Sequence, residues 1–140
     1  MIRVLVVDDS LFMRTMIRDM LEKDPNIEVV ATAVDGVDAL KKISEHMPDV
    51  VTLDIEMPRM NGLEVLKSRS QYKNFPRVMM LSSLTSEGAE MTRKAMLLGA
   101  DDFMPKPKDM HAIKGIEREL LEKIHNLVNI AYVDRPDTRK

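Results

Sequence analysis

The strongest constraint on the fold of this chain is a regular alternation, repeated five times, of a short apolar run with a segment whose apolar residues recur at helical spacing. Such alternation is typical of a parallel sheet with helices on both faces, so we expect an α/β protein. The predicted strands are Ile2–Val7, Ile27–Ala33, Asp49–Leu53, Pro76–Leu81 and Asp101–Met104. The predicted helices are Ser10–Asp24, Asp35–His46, one that begins at Asn61, Ser86–Leu98 and a long last helix that begins at Asp109.

The composition of the strands also predicts their order in the sheet. Strands that are buried on both faces are continuously apolar, and the first, third and fourth strands have this character. The second strand carries Glu28, and the short fifth strand opens with Asp101 and Asp102, which is typical of sheet edges. We therefore predict the order 2-1-3-4-5, a flavodoxin-like (βα)5 doubly wound parallel sheet. Right-handed crossovers then bring the carboxyl ends of strands one and three together at the switch point.

Several residues mark the ends and faces of the predicted helices. Asp35 is a candidate N-cap, Asn61 and Glu64 have the spacing of a capping box, and Gly99 is a candidate stop. The face that the first helix should bury consists of Phe12 or Met13, Met16, Met20 and Leu21.

Composition restricts the functional classes. A chain of 140 residues fits one domain, and its balance of 44% hydrophobic and 31% charged residues favours a soluble protein without a membrane span. The start, Met1–Val4, leads directly into a strand, so we expect no signal peptide and a cytoplasmic location. The lack of cysteine excludes disulfides and thiolate metal sites, and a net charge of −2 without a basic block argues against nucleic-acid binding.

Polar residues follow the strands at their carboxyl ends. Asp8 and Asp9 follow strand one, Asp54 follows strand three, Ser82 follows strand four and Lys106 follows strand five. These ends share one edge of a parallel sheet, where open α/β folds place their ligands. Three neighbouring carboxylates repel one another, and a divalent cation with a preference for oxygen, such as Mg²⁺, removes that repulsion. The cation and the lysine would together favour attack of Asp54 on a phosphoryl group.

Each of these residues has an ordinary structural alternative. Asp9 or Ser10 is a candidate cap of the first helix, and Asp54 alone fits a solvated strand end. Ser82 alone fits a polar strand end, and Lys106 alone fits a solvated loop lysine. Chance explains any one of them easily. It explains five at the same end of successive strands poorly.

The motifs at this edge resemble the receiver domains of two-component response regulators. The resemblance rests on Val6–Ser10, Asp54 with Met57–Gly62, Leu81–Ser83 and Lys106–Pro107, and it extends from residue 2 to about residue 130. It implies that Asp54 is the phosphoacceptor for a histidine kinase.

The resemblance also implies a metal site and a phosphoryl site. Asp9 would bind Mg²⁺ directly with Asp54, Asp8 would assist, often through water, and Glu56 would contribute its backbone carbonyl. The site residues for the phosphoryl group and the associated switch would be Ser82, Lys106 and Phe103. Ser82 would donate to one phosphoryl oxygen and Lys106 would pair with another. In this family the bond between Lys106 and Pro107 is usually cis.

Three positions depart from the common receiver pattern. Asn61 stands before Gly62 where aspartate is more frequent, and we expect it to act only as a helix cap. Ser82 stands where threonine is more frequent, which keeps the hydroxyl. Phe103 stands where many receivers carry a switch tyrosine, so it would switch by burial alone, and a fixed core or edge phenylalanine is the alternative.

A narrower resemblance is to the regulatory half of the chemotaxis protein-glutamate methylesterase, the CheB type. Ile55–Met60, Met80–Glu90 and Phe103–Pro107 carry it. In that enzyme a receiver precedes a serine-hydrolase domain that demethylates and deamidates receptor glutamyl sites, and no Gly-x-Ser-x-Gly elbow occurs in this chain. The resemblance implies a phosphorylated state that regulates such a domain and, through it, chemoreceptors. A free-standing receiver that acts as a diffusible adaptor is the alternative.

Two proteins of other classes are alternatives for the same residues. A magnesium-dependent aspartyl phosphatase would need an acid two residues after Asp54, where Glu56 stands. A flavodoxin would need a phosphate loop rich in Thr, Ser and Gly after strand one, where Asp8–Phe12 lacks glycine and would repel phosphate.

We expect a receiver domain at 1–131 and the start of an interdomain linker at 132–140. The predicted apolar stripe of the last helix is Met110, Ile113, Ile116, Leu120, Ile124, Leu127 and Ala131. A helix of this length exceeds the depth of a strand layer, so we expect its last turns, around Leu127, Val128 and Ile130, to overhang. They would contact an effector domain or another receiver, and fraying in solution is the alternative.

Overall fold

The computed structural model describes residues 1–83, 85–107 and 113–133. Within these residues the strands are β1 Ile2–Val7, β2 Ile27–Ala33, β3 Val50–Asp54, β4 Arg77–Ser82 and β5 Asp102–Pro105. All neighbouring pairs are parallel, in the order β2-β1-β3-β4-β5. The predicted flavodoxin-like order is confirmed. Glu28 is exposed on the edge strand β2, as its charge requires.

The helices begin close to the predicted positions. They are α1 Leu11–Glu22, α2 Gly36–His46, α3 Gly62–Lys67, α4 Ser86–Leu97 and α5 Ile113–Val133, with a short 3₁₀ helix at Ser68–Gln71. Ser10, rather than Asp9, caps α1 by accepting the Met13 N–H. Asp35 caps α2, and the Asn61–Glu64 capping box is present. Gly99 follows α4 with a φ of +108°, a conformation that glycine adopts without strain.

The sheet is buried on both faces. In β1, Val4 and Val6 belong to an apolar cluster with α1 and α5, whereas Leu5 and Val7 belong to a second cluster with α2, α3 and α4. Successive side chains of a strand point to opposite faces, so a strand between two helical layers is apolar throughout. In α1, Met13 packs against the first cluster and Phe12 is exposed, which decides between the two predicted alternatives. No helix within the described residues is long and apolar enough to cross a membrane.

Helix α5 corrects one prediction. We expected its turns around Leu127 and Val128 to overhang, but Leu127 is only 4% exposed and Val128 packs against the α1–α5 cluster. His125 Nε2 lies 2.6 Å from Asp24 Oδ2, in the turn after α1. The end of α1 and the turn after it therefore pack against α5 beyond the ends of the strands. The predicted overhang was based on strand length alone and did not include these contacts.

The structure describes only part of the last segment. Helix α5 extends to Val133, past the predicted linker boundary at 132. The predicted start at Asp109 and the remaining linker residues, 134–140, lie outside the described residues. The same holds for the predicted apolar side chains Met110, Ile113, Ile130 and Ala131.

Candidate functional site

Three carboxylates meet at the carboxyl ends of β1 and β3. These strands pair directly, with Val7 opposite Leu53, so Asp8, Asp9 and Asp54 emerge side by side. One oxygen from each of the three lies within 4.8 Å of the others. Asp8 and Asp54 are buried, at 0% and 2% exposure, and Asp9 is exposed. The sheet topology thus places two charged groups inside the protein and leaves the third open to solvent.

Lys106 reaches into this group of carboxylates from the loop after β5. Its Nζ lies 2.9 Å from Asp54 Oδ1 and 3.2 Å from Asp8 Oδ2. Its backbone N–H donates to the carbonyl of Ser82, which fixes the start of the loop against the end of β4. The Lys106–Pro107 bond is trans, since the described residues contain no cis bond, so the expectation of a cis bond was wrong. The long lysine side chain reaches both carboxylates from a trans backbone, the geometry that X–Pro bonds favour by about 0.5–1 kcal/mol.

Burial dominates the electrostatics of the cluster. It raises the pKa of Asp54 to about 7, with the charge of Asp8 adding to the effect and Lys106 opposing it. Burial also raises the pKa of Asp8, against the hydrogen bond from the Ser10 N–H and the charge of Lys106. For Lys106, burial lowers the pKa, but the hydrogen bond and the charges of the two carboxylates outweigh it and the net shift is upward. One ammonium therefore offsets the crowding of the three carboxylates only in part.

The remaining oxygens of the cluster fit a hard divalent cation. Within the described residues, Oδ2 of Asp8 and Oδ2 of Asp54 are buried without a hydrogen-bond partner. Of these two oxygens, Asp8 Oδ2 still lies 3.2 Å from Lys106 Nζ, within ion-pair distance. Buried carboxylate oxygens without partners are costly, and Mg²⁺ takes such oxygen ligands while it retains several waters. The chemistry of this donor set therefore fits a hard divalent cation such as Mg²⁺.

The other predicted site residues lie around this cluster. Ser82, buried at the end of β4, and Glu56, exposed in the loop after β3, line the same small cleft as Asp54. Ser82 also lines a second, apolar cavity of about 560 Å³ between α4 and β5. Phe103 on β5 borders that cavity and is 46% exposed, so it is not a core residue. Since β5 is an edge strand, the alternative of an edge phenylalanine is not excluded. The structure thus brings together five of the predicted site residues: Asp8, Asp9, Asp54, Ser82 and Lys106. Phe103 lies outside this group, at the apolar cavity that Ser82 also lines.

Comparison with known protein families gives a match over most of the chain. The family model of the response regulator receiver domain matches residues 4–117. The chain belongs to this family. The receiver domain is also 56% identical, over 133 residues, to protein-glutamate methylesterase/protein-glutamine glutaminase 1 of Methanospirillum hungatei. That match covers 95% of this chain and 39% of the relative, so the chain spans about two fifths of the relative's length.

Solved structures give the same result for the fold. The response regulator domain of Thermotoga maritima CheB is 48% identical, with a TM-score of 0.82, and the match covers 91% of this receiver domain and 96% of that chain. A chain in the CheX–CheY–BeF3–Mg complex of Borrelia burgdorferi is 29% identical, with a TM-score of 0.75, and the match covers 91% and 89% of the two chains.

The loop that follows Asp54 in the receiver domain is tied to the start of α2. Arg59, which has a φ of +64°, donates from Nε to Asp35 Oδ2 at 2.5 Å, and the Gly36 N–H donates to the Met60 carbonyl at 2.9 Å. A Cβ on Gly36 would lie 2.5 Å from that carbonyl oxygen, so only glycine allows this approach. Sequence reasoning missed Arg59, because its partner is 24 residues away and no motif links them.

Gly62→Ala is expected to destabilise the receiver domain by about 2–3 kcal/mol, since overpacking against rigid neighbours forces backbone shifts. The new Cβ would lie 2.6 Å from the carbonyl oxygen of Asp54 and 3.0 Å from the Cα of Ile55, and neither atom belongs to a flexible side chain. The matched control is Gly115→Ala on α5, where nothing lies within 4 Å of the added Cβ. That change should stabilise the helix by about 0.5–1 kcal/mol. Urea unfolding measures both, and an unfolding free energy of Gly62→Ala equal to that of the wild type would contradict the close contact.

Proposed function

We propose that this receiver domain accepts a phosphoryl group on Asp54 in a magnesium-dependent reaction. The observation that carries the proposal is the position of Asp54, buried at the end of β3 and 2.9 Å from Lys106, with carboxylate oxygens of Asp8 and Asp9 within 4.8 Å. Buried, strongly shifted carboxylates in a cleft are typical of reactive groups. The likeness to a chain from a complex with BeF3 and Mg supports the same reading.

The chemistry that we propose is a transfer between two side chains. An oxygen of Asp54 attacks the phosphorus of a phosphohistidine on a chemotaxis histidine kinase, a P–O bond forms, the P–N bond breaks and the imidazole leaves. Lys106 pairs with one phosphoryl oxygen and the Ser82 hydroxyl donates to another. On its own the chain would catalyse only this transfer and the later hydrolysis of the aspartyl phosphate.

The metal would be held by the carboxylates of Asp8, Asp9 and Asp54 and by the backbone carbonyl of Glu56. When it is bound there, Mg²⁺ supplies positive charge that favours ionised Asp54 and offsets the charge of the phosphoryl oxygens. Asp9 is the exposed member of the set, which suits direct binding from solvent, and buried Asp8 suits an assisting role.

We further propose that phosphorylation is read at the face that α4 and β5 form. Attraction of Ser82 towards the phosphoryl group would leave room in the cavity that Phe103 borders. Full burial of such a ring is worth about 1.5–3 kcal/mol, enough to shift a two-state equilibrium. In this proposal both Ser82 and Phe103 are switch residues.

The proposed output is control of a protein-glutamate methylesterase and glutaminase domain, and of chemoreceptors through it, in the cytoplasm. The support is the 56% identity to a protein of that name, of which this chain spans 39%. The esterase activity would therefore belong to the part of such a protein that this chain does not cover. Nucleic acid and membrane insertion have no place in this proposal.

Beryllofluoride, which takes the place of a phosphoryl group on a carboxylate, tests the proposal. We expect ¹⁹F NMR to show a bound signal in Mg²⁺ that disappears when EDTA is added. We also expect NOEs from the Phe103 ring to Ala89 and Met96 to strengthen when beryllofluoride binds. A bound signal that persists without a divalent cation, or no bound signal at all, would contradict the proposed site. Unchanged ring contacts would contradict only the role of Phe103.

A further inference from the structure

The turn from β2 into α2 contacts both segments that carry the proposed metal ligands. At the end of β2, the carbonyl of Ala33 accepts the N–H of Asp8 at 3.1 Å. Three residues later, the N–H of Gly36 donates to the carbonyl of Met60, in the loop after β3, at 2.9 Å. A turn without any predicted site residue therefore lies against the segment after β1 and against the loop after β3.

Asp35 supplies the side-chain part of this contact. It is 4% exposed, and its Oδ1 accepts the Asp38 N–H at 2.8 Å as the N-cap of α2. Its Oδ2 accepts from Arg59 Nε at 2.5 Å. The two carboxylate oxygens thus have different partners, one in the helix and one in the loop after β3. The Arg59 side chain is 65% exposed, so its own burial does not hold it in place.

The backbone of Arg59 is held in a conformation that it does not favour. Its φ of +64° is costly for a residue with a Cβ. Such conformations persist where surrounding contacts impose them, and they are concentrated at functional sites. Here the contacts are the ion pair with Asp35 and the adjacent bond from Gly36 to Met60.

Glu56 lies between two fixed points of this loop. At the base of the loop, the N–H of Gly62 donates to the carbonyl of Ile55 at 2.8 Å, and farther along Arg59 attaches the loop to α2. Glu56 lines the same cleft as Asp54, and its backbone carbonyl is a proposed metal ligand. The direction of that carbonyl therefore depends on how the loop is held.

We infer that Asp35 and Arg59 are positioning residues for the metal site, which hold the loop after β3 so that the Glu56 carbonyl faces the carboxylates. This inference rests on the proposed function. In metal sites, loss of a contact that orients a ligand typically costs about 10–100-fold in affinity. Arg59 holds the loop rather than the ligand atom itself, so we expect the lower end of that range.

The expected direction is opposite to the effect of charge alone. Arg59→Gln removes a positive charge near the site, which by itself favours the binding of a cation. Glutamine also has a Cβ, so the cost of the left-handed conformation stays in place and only the pair with Asp35 is lost. Weaker Mg²⁺ binding would therefore report the changed position of the loop.

The test is a calorimetric Mg²⁺ titration of the wild type, Arg59→Gln, Arg59→Lys and Lys23→Gln. We expect Arg59→Gln to bind Mg²⁺ about tenfold more weakly. Arg59→Lys keeps a cation that can pair with Asp35, and its affinity should lie between those of Arg59→Gln and the wild type. Lys23→Gln is the matched control, because it removes the same charge and an ion pair of 3.0 Å with Glu117 whose cation is 62% exposed. It should bind Mg²⁺ like the wild type.

Two further measurements separate positioning from general stability. The ¹³C chemical shift of the Glu56 carbonyl should change when Mg²⁺ saturates the wild type, and it should change less in Arg59→Gln at saturation. Urea unfolding in metal-free buffer should give similar stabilities for Arg59→Gln and Lys23→Gln, since each loses one ion pair with a largely exposed cation.

The outcomes separate this inference from the proposed function. If the wild type binds Mg²⁺ and Arg59→Gln binds it equally or more tightly, the role of Arg59 is overturned and the proposed function stands. Arg59→Lys that binds no better than Arg59→Gln, or Lys23→Gln that binds as weakly, also overturns the inference. A Glu56 carbonyl shift that ignores Mg²⁺ in a wild type that binds it does the same. A wild type that does not bind Mg²⁺ overturns both.

Discussion

Asp54→Asn is expected to abolish phosphate incorporation from a small acyl phosphate in the presence of Mg²⁺. The amide has the shape of the carboxylate but lacks the anionic oxygen that attacks phosphorus. The change should not unfold the protein, because a neutral side chain relieves the repulsion that, with burial, raises the pKa of Asp54 to about 7. Intact-mass spectrometry after incubation measures the incorporation, and thermal unfolding in metal-free buffer checks the fold.

The matched control is Asp19→Asn, which removes an exposed carboxylate from α1. It makes the same replacement of a carboxylate by an amide away from the site, and it should leave incorporation at the wild-type level. Incorporation by a folded Asp54→Asn protein would mean that another side chain is the acceptor.

Lys106→Met is expected to separate metal binding from phosphoryl transfer. The methionine keeps a long apolar chain but removes the ammonium that lies 2.9 Å from Asp54 and 3.2 Å from Asp8. Loss of one charged donor to a transferred group typically costs about a hundredfold or more in rate. Mg²⁺ affinity should be at least as high as in the wild type, because the lysine no longer competes for the same carboxylates.

Phosphorylation time courses measure the transfer rate, and calorimetric titration measures the Mg²⁺ affinity. Lys41→Met, on the exposed face of α2, is the control and should change neither. A parallel fall of Mg²⁺ affinity and rate in Lys106→Met would indicate general damage to the site. An unchanged rate would remove Lys106 from the reaction.

The fold was largely predictable because its determinants are local. The strand order followed from which strands carry charge, since Glu28 and Asp102 fit only at sheet edges. The site followed from the same topology, because parallel strands bring Asp8 and Asp54 to one edge whatever the details of packing. The family membership that the motifs suggested is confirmed by the match over residues 4–117.

What could not be predicted depends on contacts between residues far apart in the sequence. The bond between Thr92 and Ser82 joins α4 to β4, and a threonine within a helix gives no signal of it. The ion pair between Asp35 and Arg59 depends on the left-handed backbone conformation of Arg59, which residues other than glycine rarely adopt. The burial of Leu127 depends on how far the end of α1 extends, which strand length does not indicate.

The position of the phosphoryl group distinguishes Asp54 from every other candidate acceptor. The wild type is incubated with a small acyl phosphate in Mg²⁺, reduced with borohydride to trap the acyl phosphate, and digested for peptide mass spectrometry. We expect one modified position, Asp54, and no modification when EDTA replaces Mg²⁺. Modification at Asp8, at Asp9 or at a histidine, or labelling of Asp54 that is unaffected by EDTA, would contradict this expectation.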